Sequence, residues 1–271
     1  MTKLGGKKHL KRLAAPKLWP IPRKVGGWFT IKPEPGPHPK EMCLPLGIIL
    51  RDLLGYARTL REVKIILNQG LVEVDGRVRK SYKFPVGPFD VIHIKRVDEY
   101  YRILPYRNKL ILHKITAEEA RFKLCKIIGK RYYKNGWIQL NLTSGYNILF
   151  KTNTEEERRK VLDTYFTNDT LKVSLPDLQI LDHYRFEKGA YCYIMAGRHM
   201  GEHGKLIEIH KHYGIGRAST ATIETPDGER IVTALDYVFI IGRESPEISL
   251  PTEEEWKKLR RWDFWPFKIW E

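Results

Sequence analysis

A chain of 271 residues with 48 Lys+Arg against 32 Asp+Glu carries a formal net charge of +16, which points to a polyanionic partner, nucleic acid before an acidic membrane surface. That length allows one to three domains with a properly buried core, and no apolar run approaches the ~20 residues of a bilayer span. Three scattered cysteines, Cys43, Cys125 and Cys192, form no C-x-x-C pair, which argues against a zinc knuckle or ribbon and, in an odd number, fits a reducing compartment.

Residues 1–42 read as a basic arm. The first forty residues hold ten Lys/Arg and a single acid, Glu34, so more than half the excess charge lies there. Gly5-Gly6-Lys7-Lys8-His9-Leu10-Lys11-Arg12 gives way to prolines at 16, 20, 22, 33, 35, 37 and 39, a density that blocks helix and sheet. Without a partner such an arm is expected to be disordered and to order on binding. Trp19, Trp28 and Phe29 are its aromatics; they either stack on bases or pin the arm to the body of the protein.

Residues 43–95 read as a small helix-hairpin domain. Thr59-Leu60-Arg61-Glu62 is a capping-box sequence. Leu60, Val63, Ile66 and Leu67 then recur at helical spacing, while Arg61, Lys64 and Asn68 form another stripe. Gly70 stands where the helix must stop. Asp75-Gly76 is a hairpin turn between Leu71–Val74 and Arg77–Lys80. Arg58, Arg61, Lys64, Arg77, Arg79 and Lys80 would therefore share one cationic surface.

Residues 96–176 read as a central α+β domain without a legible motif. Strand-like runs fall at Lys109–Ile115, Trp137–Leu142, Tyr146–Phe150 and Thr170–Leu175. A second capping-box sequence, Thr116-Ala117-Glu118-Glu119, predicts a helix after Thr116. The clusters Glu155–Glu157 and Glu253–Glu255 sit at expected helix starts, where acids favour the macrodipole. Residues 177–245 hold short β-type runs punctuated by Gly189, Gly197, Gly201 and Gly204, with a turn at Pro226-Asp227-Gly228; this predicts a small barrel. The tail, 246–271, carries Trp256, Trp262, Trp265 and Trp270, too much aromatic area to leave in water, so it is expected to cover the protein itself or a partner.

His199-Met200-Gly201-Glu202-His203 matches the H-x-x-E-H pattern, but Gly201 inside it and Gly197 and Gly204 beside it read as a loop, which cannot set two histidines on one helical face. No phosphate-cradling loop and no nucleophilic-serine elbow occurs. The expectation is no catalytic residue, no metal and no cofactor.

The segments Thr59–Leu67, Gly70–Gly76 and Val86-Gly87-Pro88-Phe89-Asp90-Val91-Ile92 resemble the small RNA-binding domain found in several ribosomal proteins, pseudouridine synthases and tRNA synthetases. Glu187–Ile209 resembles a KOW motif of an SH3-like barrel. Gly6–Pro16 and Pro35-Gly36-Pro37-His38, with these modules in this order, resemble the small-ribosomal-subunit protein family S4e of archaea and eukaryotes, over residues 3 to about 251. Where that family usually reads Gly-Gly-Arg-Asn in the barrel loop, this chain has Ala196-Gly197-Arg198-His199.

The resulting expectation is an α+β and all-β multidomain protein: basic arm, α/β-hairpin RNA-binding domain, central mixed domain and SH3-like KOW barrel. The resemblance implies a non-enzymatic, cytoplasmic constituent of the ribosome, monomeric there, bound to small-subunit rRNA and neighbouring ribosomal proteins and to no membrane. The RNA-binding candidates are Lys7, Lys8, Lys11, Arg12, Lys17, Arg23, Lys24, Arg51, Arg58, Arg61, Lys64, Arg77, Arg79, Lys80, Lys83 and Arg198. Contacts of this kind position a protein on phosphate and read shape more than sequence. Two other classes use the same modules. An RNA-modifying enzyme such as a pseudouridine synthase would need an aspartate in a Gly-Arg-Leu-Asp context, which is absent. A KOW-type transcription factor would account for the barrel but not for the arm and helix-hairpin module.

Overall fold

The structure, a computed structural model, describes residues 8–24, 27–152, 154–212 and 218–251. Lys7 and the tail residues 252–271 lie outside the described residues. The chain divides into two compact units, one of residues 1–104, 109–114 and 251–271 and one of residues 105–108 and 115–250.

In the first unit, β1 (Leu10–Lys11) pairs antiparallel with β2 (Phe29–Thr30). β3 (Leu44–Pro45) leads into α1 (Leu46–Ile48), and the chain then winds wider over Ile49–Leu53, where Leu54 N donates to Ile49 O at 2.9 Å. After α2 (Leu60–Asn68) come β4 (Val72–Val74), β5 (Arg77–Val78), β6 (Pro85–Val86), β7 (Val91–Ile94), β8 (Glu99–Tyr106) and β9 (Lys109–Ile115). Five of these strands form one sheet in the order β5-β4-β7-β8-β9, and β3 pairs with β6. Val63 and Leu67 of α2 join Leu46, Ile48, Ile49, Val72, Ile92, Ile103 and Leu110 in one core.

The expected arm is part of that core. Leu10, Ala15, Trp19, Ile21 and Ile31 are buried in it, Trp19 completely. Leu110 N donates to Leu18 O at 2.9 Å, and the Lys109 ammonium donates to the carbonyls of Lys17 and Trp19 at 2.7 and 3.3 Å. Burying one tryptophan removes about 150–250 Å² from water, worth roughly 4–6 kcal/mol at 25 cal/mol per Å². The prolines help here, because they limit the freedom an unfolded arm has to lose. Composition alone suggested disorder; the few apolar side chains, docked against a partner surface within the same chain, order residues that cannot order by themselves.

The expected boundary at 95/96 falls between β7 and β8, which pair from Val91↔Arg102 to Ile94↔Glu99. The first unit thus extends through Lys114. Beyond it, no α-helix follows Thr116. Thr116 does cap, accepting from Glu119 N at 3.3 Å, but the cap opens only a single 3₁₀ turn, Glu119–Arg121. A cap starts a helix but cannot by itself continue one, and the run from Phe122 is taken up by antiparallel pairing along Phe122–Tyr132 instead.

The second unit begins there with β10 (Phe122–Tyr132), followed by β11 (Ile138–Leu142), β12 (Asn147–Phe150), α3 (Glu155–Thr164), β13 (Thr170–Ser174) and β14 (Ile180–Tyr184). The sheet order is β12-β11-β10-β13-β14. β10 reaches two partners because its first half pairs with β13 and its second with β11, across an irregularity between Ile127 and Gly129. α3 starts at the Glu155–Glu157 cluster with a complete capping box between Thr154 and Glu157. β14 belongs to this sheet, so the expected start of the barrel at 177 is too early. A second sheet holds β15 (Tyr191–Ile194), β16 (His203–His210), β17 (Thr220–Glu224), β18 (Arg230–Ala234) and β19 (Val238–Gly242) in the order β18-β17-β16-β15-β19. The β-type runs expected of this block, at 190–195, 205–209, 221–225, 231–233 and 237–241, are these strands, and β19 returns to pair antiparallel with β15. Lys126 reaches from β10 to donate to Val238 O at 2.8 Å; its burial brings the ammonium pKa down to about 8. The three cysteines are buried and joined by no disulfide among the described residues.

Candidate RNA-binding surface

The N-terminus of α2 is built as its residues dictate. Thr59 Oγ1 accepts from Glu62 N at 3.3 Å, and the Glu62 carboxylate reaches back to Arg58 N at 2.7 Å, one residue earlier than a standard capping box. The hydrogen bond from Arg58 N, and after it the one the Thr59 hydroxyl donates to Glu62 Oε1, hold the carboxyl below the usual range. This acid is therefore occupied by the cap. Val63 and Leu67 face the core, leaving Arg58, Arg61 and Lys64 exposed. Asn68 is exposed beside them, and Gly70 ends the helix at φ 71°.

The hairpin is as firmly set. Asp75 and Gly76 take φ of 52° and 72°, the positive values a tight two-residue turn requires. Asp75 is buried, and its Oδ1 accepts from Val91 N at 2.9 Å, which ties the turn to β7. Arg77 and Lys80 are exposed. Arg79 is half-buried, with its guanidinium 4.3 Å from the Phe84 ring centroid, so its side chain packs as well as carrying charge. The Lys64 ammonium lies 5.1 Å from the Tyr82 ring centroid and that of Lys83 5.6 Å. These contacts join the α2 face to the Tyr82-Lys83 segment.

Arg51 is fixed. Its Nε and Nη2 donate to the two carboxylate oxygens of buried Asp52 at 2.5 and 3.0 Å, and that hydrogen-bonded pairing raises the guanidinium pKa. Lys8 of the arm, together with Arg51 and Lys83, lines a groove of about 450 Å³ beside the β1–β2 hairpin. Sequence reasoning did not include His9, Lys32 and Tyr82, which line it too. They are distant in sequence, and only the docking of the arm brings them together.

Two expected phosphate ligands do other work. Arg12 is only 3% exposed, and its Nη1 donates to Pro22 O at 3.1 Å. Arg23 donates to the carbonyls of Leu13, Ala15 and Pro16 at 3.2, 2.9 and 2.8 Å. A proline-rich segment makes few backbone pairs, so its carbonyls take these guanidinium groups instead. Lys11, Lys17 and Lys24 are exposed. Arg198 is exposed in the second unit, in the turn after Gly197 (φ 90°). That turn ends in β16, where His203 Nδ1 lies 2.8 Å from the Tyr191 hydroxyl, so the two histidines of the H-x-x-E-H pattern share no helix.

Taken together, the first unit presents exposed cations on a short capped helix and on a braced hairpin, and a groove lined by further cations. Three family profiles match the chain: the S4 domain over residues 48–92, the RS4NT (NUC023) domain over 4–41 and ribosomal family S4e over 97–180. The small ribosomal subunit protein eS4 of Staphylothermus marinus is 49% identical over 253 residues, covering 93% of this chain and 98% of the relative. That of Methanocaldococcus jannaschii is 46% identical over 250 residues, covering 92% and 100%. The crystal structure of the 30S ribosomal protein S4e from Thermoplasma acidophilum superposes with a TM-score of 0.59 at 31% identity, covering 75% of this chain and 96% of that one.

Proposed function

The chain belongs to ribosomal family S4e, and on that premise we propose that it is a structural constituent of the small ribosomal subunit that binds small-subunit rRNA and supports its assembly. The observation that carries the RNA reading is the α2–hairpin face. Arg58, Arg61, Lys64, Arg77 and Lys80 are exposed on elements fixed by a cap, a two-residue turn and a buried core. Rigid cations of this kind neutralise phosphates and release their counterions, which supplies much of the binding free energy.

In this reading the exposed arm lysines 8, 11, 17 and 24, with Lys7, extend the phosphate contacts. The β15–β19 sheet supplies an SH3-like KOW barrel, with Arg198 at its loop. The β10–β14 sheet with α3 forms the central domain, and the tail from 246 covers the protein itself or a neighbouring ribosomal component. The protein acts without catalysis or cofactor, as one copy within the cytoplasmic ribosome.

Binding of the full-length chain to a small-subunit rRNA transcript, measured across salt concentrations, tests this. A steep fall of affinity with salt, together with preference over a plain duplex of equal length, is the expected result. Equal binding to both RNAs would reduce the surface to a non-specific one.

A further inference from the structure

We propose that the groove beside the β1–β2 hairpin receives one unstacked nucleotide of the bound RNA; this rests on the RNA-binding reading above. The groove lies wholly within the first unit. Lys8, Lys32, Arg51 and Lys83 line it, and among the described residues no carboxylate does. Asp52, paired with Arg51, is buried and holds the guanidinium plane in place through two hydrogen bonds.

Its aromatic lining is of a kind that bases stack on. Phe29 is 57% exposed, and its ring centroid lies 5.6 Å from that of His9. Tyr82 lines the groove too, with the ammonium groups of Lys64 and Lys83 5.1 and 5.6 Å from its ring centroid. A large apolar ring left half in water beside four cations is unfavourable until something with a π-face and a negative charge covers it.

Size and position select the occupant. The volume, about 450 Å³, lies within the range of sites that enclose one small-molecule-sized group. It cannot admit an A-form duplex, whereas RNA loops and bulges offer single splayed bases to such sites. Lys64 touches Tyr82 from the α2 face, so RNA lying on that face passes the mouth of the groove. That continuity favours a nucleotide over an acidic peptide.

The test uses the full-length protein and a small-subunit rRNA transcript containing 4-thiouridine. Photocrosslinked peptides are identified by mass spectrometry, and affinity is measured for wild type, Phe29→Ala, Tyr82→Leu and Tyr82→Phe. Crosslinks from Phe29 or Tyr82 to one unpaired nucleotide are expected. Phe29→Ala and Tyr82→Leu should each lower affinity between about 5- and 150-fold, the range for losing one base stack. Their salt dependence should not change, because no charge is removed, and Tyr82→Phe should retain affinity. Unchanged melting temperatures show that the variants fold, and the exposure of Phe29 makes its variant the safer one.

If wild type binds RNA, the variants bind equally and crosslinks fall only on α2 and the β4–β5 hairpin, the nucleotide site is refuted while the RNA reading stands. Crosslinks from the groove to a protein in assembled small subunits would refute it as well. Failure of wild type to bind the transcript would overturn the RNA reading itself.

Discussion

His38 Nε2 lies 2.8 Å from Asp90 Oδ2, and the same oxygen accepts from Gly87 N at 2.8 Å. Asp90 is 1% exposed. The Pro35–His38 and Val86–Ile92 motifs, fifty residues apart, therefore meet at one buried carboxylate. This clasp fastens the arm to the helix-hairpin module. Gly87 is required for it, since a Cβ there would stand 2.2–2.4 Å from His38 ring atoms.

The clasp predicts non-additive energetics. Gly87→Ala displaces the imidazole and His38→Ala deletes it; each leaves the buried carboxylate short of a partner and should cost about 1–3 kcal/mol. The double variant should cost clearly less than the sum, because both changes remove one interaction. Chemical denaturation of the four proteins measures this, and additive losses would contradict it.

The arm cations should separate into two kinds. Arg23→Ala removes three hydrogen bonds to carbonyls and should lower stability by about 1–2 kcal/mol. Lys24→Ala should leave the melting temperature unchanged and weaken RNA binding modestly, with a shallower salt dependence. Equal melting temperatures for the two variants would contradict the packing described for the arm.

Acid sensitivity should centre partly on Glu99. Its carboxylate accepts from the Lys114 ammonium and the Tyr101 hydroxyl, both at 2.7 Å, and from Tyr56. These partners, Lys114 first, bring its pKa from 4.5 down to about 2. A carboxylate lowered in the folded state binds its proton more readily in the unfolded chain. Its stabilisation is therefore complete above pH 4.5 and is lost as pH falls toward 2. Unfolding free energies between pH 5 and 2 should fall less steeply for Glu99→Gln than for wild type. Identical slopes would show that these hydrogen bonds do not favour the ionised carboxylate.

Much of this architecture is local and therefore legible. The Thr59 cap, the spacing of Val63 and Leu67, and the Asp75-Gly76 turn act over four or five residues, and each structure forms as its residues dictate. What escapes is set at long range. β8 was not foreseen as a strand because Arg102–Pro105 are buried on both faces of the sheet, which erases the alternation that marks a strand, and a buried arginine in the run disguises it further. Thr116 carries the same cap signal as Thr59, but the run behind it is claimed by long-range pairing with β13 and β11. The groove was invisible because its two walls meet only after the arm has docked.

The exposed face of α2 and the hairpin should be separable from stability. Arg61→Glu combined with Arg77→Glu alters two exposed side chains that make no core contact. RNA affinity should drop, and the slope of log K against log salt should flatten by roughly 1.4–1.8, the value for two phosphate contacts on single-stranded or duplex nucleic acid. The melting temperature should stay within about 1–2 °C, as a small surface effect implies. Unchanged RNA binding would remove this face from the interface.

A sucrose gradient of native lysate, probed for the chain at moderate salt and again after a high-salt wash, reads out whether this chain is an integral part of the small subunit. The protein should sediment with small subunits under both conditions. Recovery at the top of the gradient, or release by the wash, would contradict it.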